Sequence, residues 1–225
     1  MVELIFAITI MGIALMAIPN LLAVSAKSGY VTIQQEAISE ASAHINSILT
    51  YQWDEEDSNE SFLPPVLGVS NGDDELDEVG TSGIRKGTPP QSYRKFVNYR
   101  GERFNASTTL GADTGESSQN DYDDIDDFNG ATSSLVIAAG ESASNDYIDT
   151  NISISTTVSY NDDSASYDSN SFTFTPFSPK SGTTNIKEVT ITLTSNSGVE
   201  ELNKTIVLRA FSCNIGAYLL ERKDF

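Results

Sequence analysis

One cysteine, Cys213, and one histidine, His44, are all that this 225-residue chain has of those two residue types. A lone cysteine excludes an internal disulfide, and one histidine with one cysteine cannot assemble a structural zinc set. A phosphate-cradling Gly-Lys-Ser/Thr loop and a His-Glu-x-x-His helix are also missing. Basic residues are scarce: 13 Lys and Arg stand against 32 Asp and Glu, for a net charge of −19. Such a surface repels nucleic-acid phosphates and anionic headgroups, so no nucleic-acid partner is expected. It suits solubility outside the cell and attracts divalent cations. Carboxylate pairs carry no catalytic meaning by themselves here, because so many acids pair by chance. No catalytic residue emerges, and the chain does not read as an enzyme.

What is present is uneven. From Leu4 to Ala26 there is no charged residue, and the stretch is almost continuously apolar. About 20 such residues in a helix span the roughly 30 Å hydrocarbon core of a bilayer. From Lys27 onward the chain is polar. The residue before the run is Glu3, and neither Lys nor Arg precedes it. A secretory signal peptide starts with positive charge, so this terminus is of another kind. A carboxylate beside a membrane-spanning run is costly unless it lies at the interface or meets a positive partner. Glu3 is therefore either an interfacial end of the helix or a charge reserved for another subunit. Ala23-Val24-Ser25, followed by Ala26, would suit a signal peptidase, although the acidic start and the length of the run do not.

The start MVELIFAITIMGIALMAIP resembles the N-terminal segment of type IV pilins and pseudopilins. In that family the mature chain begins with a methylated Phe, carries Glu at its fifth position, and continues as an apolar helix with a Gly and then a Pro. Glu3, Gly12 and Pro19 fall on that pattern, with Pro19 one residue nearer the Glu than in the commonest form. Aligning on Glu3 implies two mature residues ahead of Met1, with a short basic leader ending in Gly upstream and the start codon beyond it. The resemblance implies subunit assembly through Glu3, Gly12 and Pro19. Glu3 would pair with the N-terminal ammonium of a neighbouring subunit, and Gly12 and Pro19 would weaken the helix by about 1 and 3 kcal/mol, allowing it to bend or locally melt. The implied partners are other pilin or pseudopilin subunits, a prepilin peptidase, inner-membrane assembly machinery and membrane lipid. The implied location is the bacterial inner membrane before assembly, with the head outside the cytoplasm, and then a periplasmic or cell-surface filament.

Past the membrane run, Tyr30, Ile33, Ala37, Ala41, Ile45, Ile48 and Gln52 recur at helical spacing, widened by Ile38 and Leu49, opposite Gln35, Ser39, Ser42 and Asn46. This predicts an amphipathic continuation through 53, with His44 partly buried at the stripe's edge. Residues 54–78 hold ten acids, Pro64-Pro65 and two glycines and read as irregular loop. Residues 85–103 hold six of the 13 basic residues, among them Arg85 and Arg103. The two blocks either neutralise each other on one face or form complementary patches between subunits. Asp121, Asp123, Asp124, Asp126, Asp127 and Asn129 crowd one turn, offering the oxygen ligands that calcium prefers. Their spacing is not that of an EF-hand, and a solvated acidic turn is the competing reading. Some members of the resembled family hold calcium in their loop region. Ile125 and Phe128 would pin the turn to the core.

The C-terminal third alternates apolar with Ser, Thr, Asn and Asp. Strands are expected around Ile148–Val158, Phe172–Thr175, Ile186–Leu193 and Thr205–Phe211, with turns at Asn161-Asp162-Asp163, Ser181-Gly182 and Ser195–Gly198. Together these predict an α+β fold, a long N-terminal helix packed on an antiparallel sheet in the manner of a pilin. Its parts are 1–26 as the transmembrane or filament-core half of the helix, 27–53 as the amphipathic half, 54–147 as an irregular loop region and 148–225 as the sheet. Many pilins staple this region with a disulfide, which lone Cys213 cannot do; a buried, inert thiol is expected. The functional expectation is a filament subunit, a minor pilin or pseudopilin, with a looser likeness of the DDIDDFNG stretch and strand-rich tail to minor pilins of mannose-sensitive haemagglutinin systems. The alternative is a membrane-anchored or secreted adhesion module that does not polymerise.

Overall fold

The structure is a computed structural model that describes residues 2–57, 66–77, 84–85, 96, 102–135, 151–167, 169–171, 173, 175, 177–195, 197 and 199–216. Helix α1 runs from Val2 to Ile48, and a one-turn helix α2 covers Asp74–Asp77. Strands β1 (Thr132–Leu135), β2 (Ile152–Asn161), β3 (Ile186–Ser195) and β4 (Ile206–Cys213) form one antiparallel sheet in the order β1-β2-β3-β4. Short 3-10 turns lie at Glu55–Asp57 and Asp126–Phe128. The α+β class and the antiparallel sheet agree with the sequence reading.

The boundaries differ in three places. Helix α1 stops at Ile48 rather than at 53. Its last turn tightens, with Thr50 N on Ser47 O at 3.0 Å and Tyr51 N on Ile48 O at 3.1 Å. Gln52 then leaves the helix and makes a parallel bridge to Asp124, so Gln52 is exposed rather than part of the stripe. Second, the expected loop region contains β1. Third, Thr173 and Thr175 are in irregular chain, while Phe172, Phe174 and Ile148 lie outside the described residues.

The chain divides into two compact units. The first comprises Met1–Glu40, Ser134–Ser153 and Leu193–Ile206; the second comprises Ala41–Ser133, Ile154–Thr192 and Val207–Phe225. In the first unit, Ala37 is buried and shares a small cleft with Gln34, Ile152, Leu193 and Leu202. Gln34 donates to Glu201 O, and Lys27 sits 3.3 Å from the Glu201 carboxylate. Ile38, expected to widen the stripe, is 37% exposed.

The second unit holds most of the core. Ala41, Ile45 and Ile48 of α1 are buried, as the 3.6-residue period requires. His44 is half-buried, edge-on to Phe128 at 5.9 Å and within 3.3 Å of Thr156 Oγ1 on β2. These contacts place His44 in the packing between α1, β2 and the acidic turn.

Strand β2 alternates as its sequence predicts, with Ile152, Ile154, Thr156, Val158 and Tyr160 buried. In β3 both faces are covered. Lys187, Val189, Ile191 and Leu193 share one face, and Ile186 and Glu188 lie on the other, all buried. Glu188 accepts from Asn161 Nδ2 at 2.6 Å and Thr190 Oγ1 at 2.9 Å, with Arg209 of β4 at 3.4 Å. Strand β4 has no fully buried residue, and Val207 and Phe211 lie exposed on either side of Arg209.

Ile191 is fully enclosed in a sheet interior, so Ile191→Ala is expected to cost about 2–5 kcal/mol through lost transfer energy and the cavity left behind. Val207→Ala on half-exposed β4 is expected to cost under about 1 kcal/mol. Denaturant unfolding of the two variants measures the contrast, and equal losses would contradict this placement of the core.

Candidate functional site

Two regions of the sequence carry functional expectations, the apolar helix start and the acidic turn. At about 1.5 Å per residue, the 47 residues of α1 extend about 70 Å. Its N-terminal part is long and apolar enough to cross a membrane, and the apolar window within it is unburied throughout. Leu4, Ile5, Phe6, Ile8, Ile10, Met11, Ile13 and Leu15 are each more than 60% exposed. Leaving so much apolar surface in water is unfavourable at about 25 cal/mol per Å², so this surface requires a lipid or protein environment.

Glu3 occupies the first turn, where a carboxylate complements the positive end of the helix dipole. Gly12 and Pro19 lie inside the helix, which continues unbroken through both. Pro19 has no N–H to give to the carbonyl of Leu15, and Gly12 has open space where a Cβ would stand.

The acidic turn is wired into the core of the second unit. Asp124 Oδ1 accepts from Asp126 N at 2.7 Å and Asp127 N at 3.1 Å, capping the 3-10 turn. Asp127 Oδ2 accepts from Asp123 N at 3.0 Å and Asp124 N at 3.1 Å. Asn129 joins two segments: Nδ2 donates to Leu110 O at 3.1 Å, and Oδ1 accepts from Val158 N at 3.0 Å. Asp121 faces solvent and accepts from Ser118 N and Oγ. Ile125 and Phe128 are buried, as expected of residues that pin a turn, and Phe128 meets Tyr51 and Tyr122 edge-on at 5.1 Å each.

The six oxygen-bearing residues singled out in the sequence thus do not converge on one point. Asp124, Asp126 and Asp127 are buried, while Asp121 and Asp123 are exposed. A different trio does converge: Glu116, Asp123 and Asp127 hold carboxylate oxygens within 4.8 Å of one another. Calcium chemistry at this turn would fall to that trio. Glu116 was not foreseen, because it reaches the turn from a separate loop.

Asp126 points elsewhere. Its carboxylate contacts the Nζ of Lys187, which also donates to Asp54 Oδ2 at 2.8 Å and Trp53 O at 2.7 Å. Lys187 and Asp54 are fully enclosed. Asp54 in turn accepts from Ser107 N at 3.0 Å and Ser107 Oγ at 2.9 Å. Burial raises the Asp126 carboxyl against the opposing pull of Lys187, and burial together with neighbouring Asp126 lifts Asp124 to about 9. Asp124 is therefore a neutral acid at pH 7.

The acidic and basic blocks meet at Arg103 and Asp77, 3.1 Å apart and both partly exposed, a contact worth at most about 1 kcal/mol. Arg85 instead donates to Asn214 O and Asn185 Oδ1 at 2.9 and 2.8 Å. Lys86, Arg94, Lys95 and Arg100 lie outside the described residues. Cys213, expected to be buried, is half-buried, and desolvation raises its thiol against the opposing charge of Arg85.

Desolvation and the Asp127 carboxyl together lift Glu116 from 4.5 to about 7. A carboxyl raised in the folded state adds stability below its unfolded value and loses it as pH rises through its folded value. Folding stability should therefore fall between about pH 4.5 and 7 through this group, and Glu116→Gln should flatten that part of the profile. Thermal melts across the range would show it; an unchanged slope in the variant would place the pH dependence elsewhere.

No protein-family model matches this chain, and no curated protein or solved structure matches it.

Proposed function

We propose that the protein is a structural subunit of an envelope filament of the type IV pilin or pseudopilin kind, with a minor role, and not an enzyme. The observation that carries this reading is the N-terminal part of α1, an unburied apolar rod whose one charge before Lys27 is Glu3. Such a rod is stored in lipid, where helical hydrogen bonding satisfies its backbone. It passes into a filament core of like helices at little cost, because both surroundings are apolar. Glu3 then meets the terminal ammonium of a neighbouring subunit, which compensates two charges and fixes axial register. Gly12 and Pro19 supply the weak points at which a packed or stretched helix yields. The acidic head keeps the assembled surface soluble and turns it away from nucleic acid.

A membrane-anchored head that binds a surface ligand without polymerising would use the same apolar rod as an anchor. Glu3 separates the two readings by its partner: in a simple anchor it ends the helix at the interface, and in a filament it pairs with a neighbouring terminus.

Two measurements test the proposal. Glu3→Ala should abolish incorporation into filaments while head folding stays intact, since an unpartnered buried charge costs about 3–5 kcal/mol; normal incorporation would sink the charge-pairing role. Mass spectrometry of the N-terminal peptide, with the protein made from its full gene, should find a methylated Phe two residues before Met1. A terminus at Ala26 would instead mean a secreted protein, and an unprocessed terminus would mean an anchor.

A further inference from the structure

Lys187 stands on the core face of β3, in register with Val189, Ile191 and Leu193. A lysine there cannot reach water. Its Nζ has three acceptors for three protons: Trp53 O, Asp54 Oδ2 and Asp126 Oδ1. Aromatic rings close the remaining sides, with the Trp53 centroid at 4.4 Å and the Tyr160 centroid at 5.6 Å. Trp53 and Tyr160 are each only 6% exposed and touch edge-on.

An amine and a carboxyl in contact remain an ion pair in water because hydration stabilises both charges. In this enclosure neither group is hydrated, so the water that keeps such a pair apart as hydrated ions is missing. Condensation runs through the amine and the carboxylic acid, reached when one proton passes from Nζ to the carboxyl it touches. The neighbours supply what the condensation requires. Asp54, held in place by Ser107, is also in contact with Nζ and can take a proton from it. Asp124, raised by burial and by its neighbour, lies against Asp126, with its Oδ1 accepting from Asp126 N at 2.7 Å, and is placed to polarise that carboxyl.

We propose that Lys187 and Asp126 join through an intramolecular amide bond between Nζ and Cγ, formed once the second unit has folded, with Asp54 as the general base. The Nζ–Cγ bond forms and one Cγ–O bond of Asp126 breaks. Two of the three Nζ protons and the departing oxygen leave as one water, carried through Asp54, which ends in the protonation state in which it began. Nothing is oxidised or reduced, and two buried charges become one neutral amide.

The bond would tie the acidic turn to the sheet across 61 sequence positions. It would give a chain without a cysteine pair the cross-link that a disulfide otherwise supplies, and would hold the turn against pulling. It stands apart from the filament reading, because a monomeric anchored head would carry the same bond.

Intact-mass spectrometry of the full chain, purified folded in detergent, tests the inference. The mass is expected to be lower than that of the sequence by one water, and proteolysis should yield a branched peptide joining Lys187 to Asp126. Lys187→Arg and Asp126→Ala should both show the full sequence mass. A folded wild-type chain at full mass would overturn the proposal, as would a water loss that persists in Lys187→Arg. If either variant fails to fold, the wild-type mass and its branched peptide decide alone. Asp54→Asn leaves both joined groups in place and should slow bond formation after refolding by about 100-fold or more; an unchanged rate would remove Asp54 from the role of base.

Discussion

The side-chain nitrogen of Lys187 is the point around which the second unit is organised. It is fully enclosed and reaches three separate segments at once: the chain just after α1 at Trp53 and Asp54, the acidic turn at Asp126, and strand β2 at the Tyr160 ring. Burying a charge is unfavourable by several kcal/mol per ion after relaxation, and only close partners with saturated hydrogen bonding offset it. That requirement explains why α1 ends where it does. Residues beyond Ile48 must leave the helix so that Gln52 can bridge Asp124 and Asp54 can reach Nζ. It also explains why the turn at 124–128 is compact rather than solvated. Its carboxylates cap their own backbone amides and face a lysine, and Phe128 packs among Tyr51, Tyr122 and His44.

The same network accounts for the behaviour of the acids. With 32 carboxylates in the chain, crowding alone would spread the turn into water. Burial and mutual repulsion instead hold Asp124 neutral and raise Glu116, so the turn lowers its own charge as it packs. The second unit thus combines acidic surface residues with an interior in which charge is either paired or suppressed. The N-terminal part of α1 is the opposite kind of surface, apolar throughout and unburied. The two halves of the chain require different solvents, which is the physical basis for reading the protein as an envelope subunit.

Periodicity made the main elements legible. The apolar run, the stripe Ala37, Ala41, Ile45 and Ile48, and the alternation in β2, β3 and β4 were all set by local spacing, and the helix and strands follow it. The signals that failed were the ones without a period. Strand β1 is four residues long with no buried side chain, too short and too polar to stand out. The end of α1 is fixed by partners distant in the chain, so Gln52 extended the helical pattern on paper while its backbone was needed elsewhere. Lys187 did leave a trace, since it falls in register with Val189, Ile191 and Leu193. A charge on an apolar strand face is a cue to look for buried partners.

Sequence alone determined what depends on composition and local repeat: the membrane-length apolar helix, its single carboxylate at Glu3, the acidic exterior and the α+β class. Tertiary structure alone decided which acids do what. Asp54, Asp126 and Lys187 are separated by tens of positions, and Glu116 reaches Asp123 and Asp127 from another loop. A run of aspartates looks uniform along the chain because charge has no direction there. Folding distinguishes its members, since each carboxylate is assigned by the dielectric and the donor it meets.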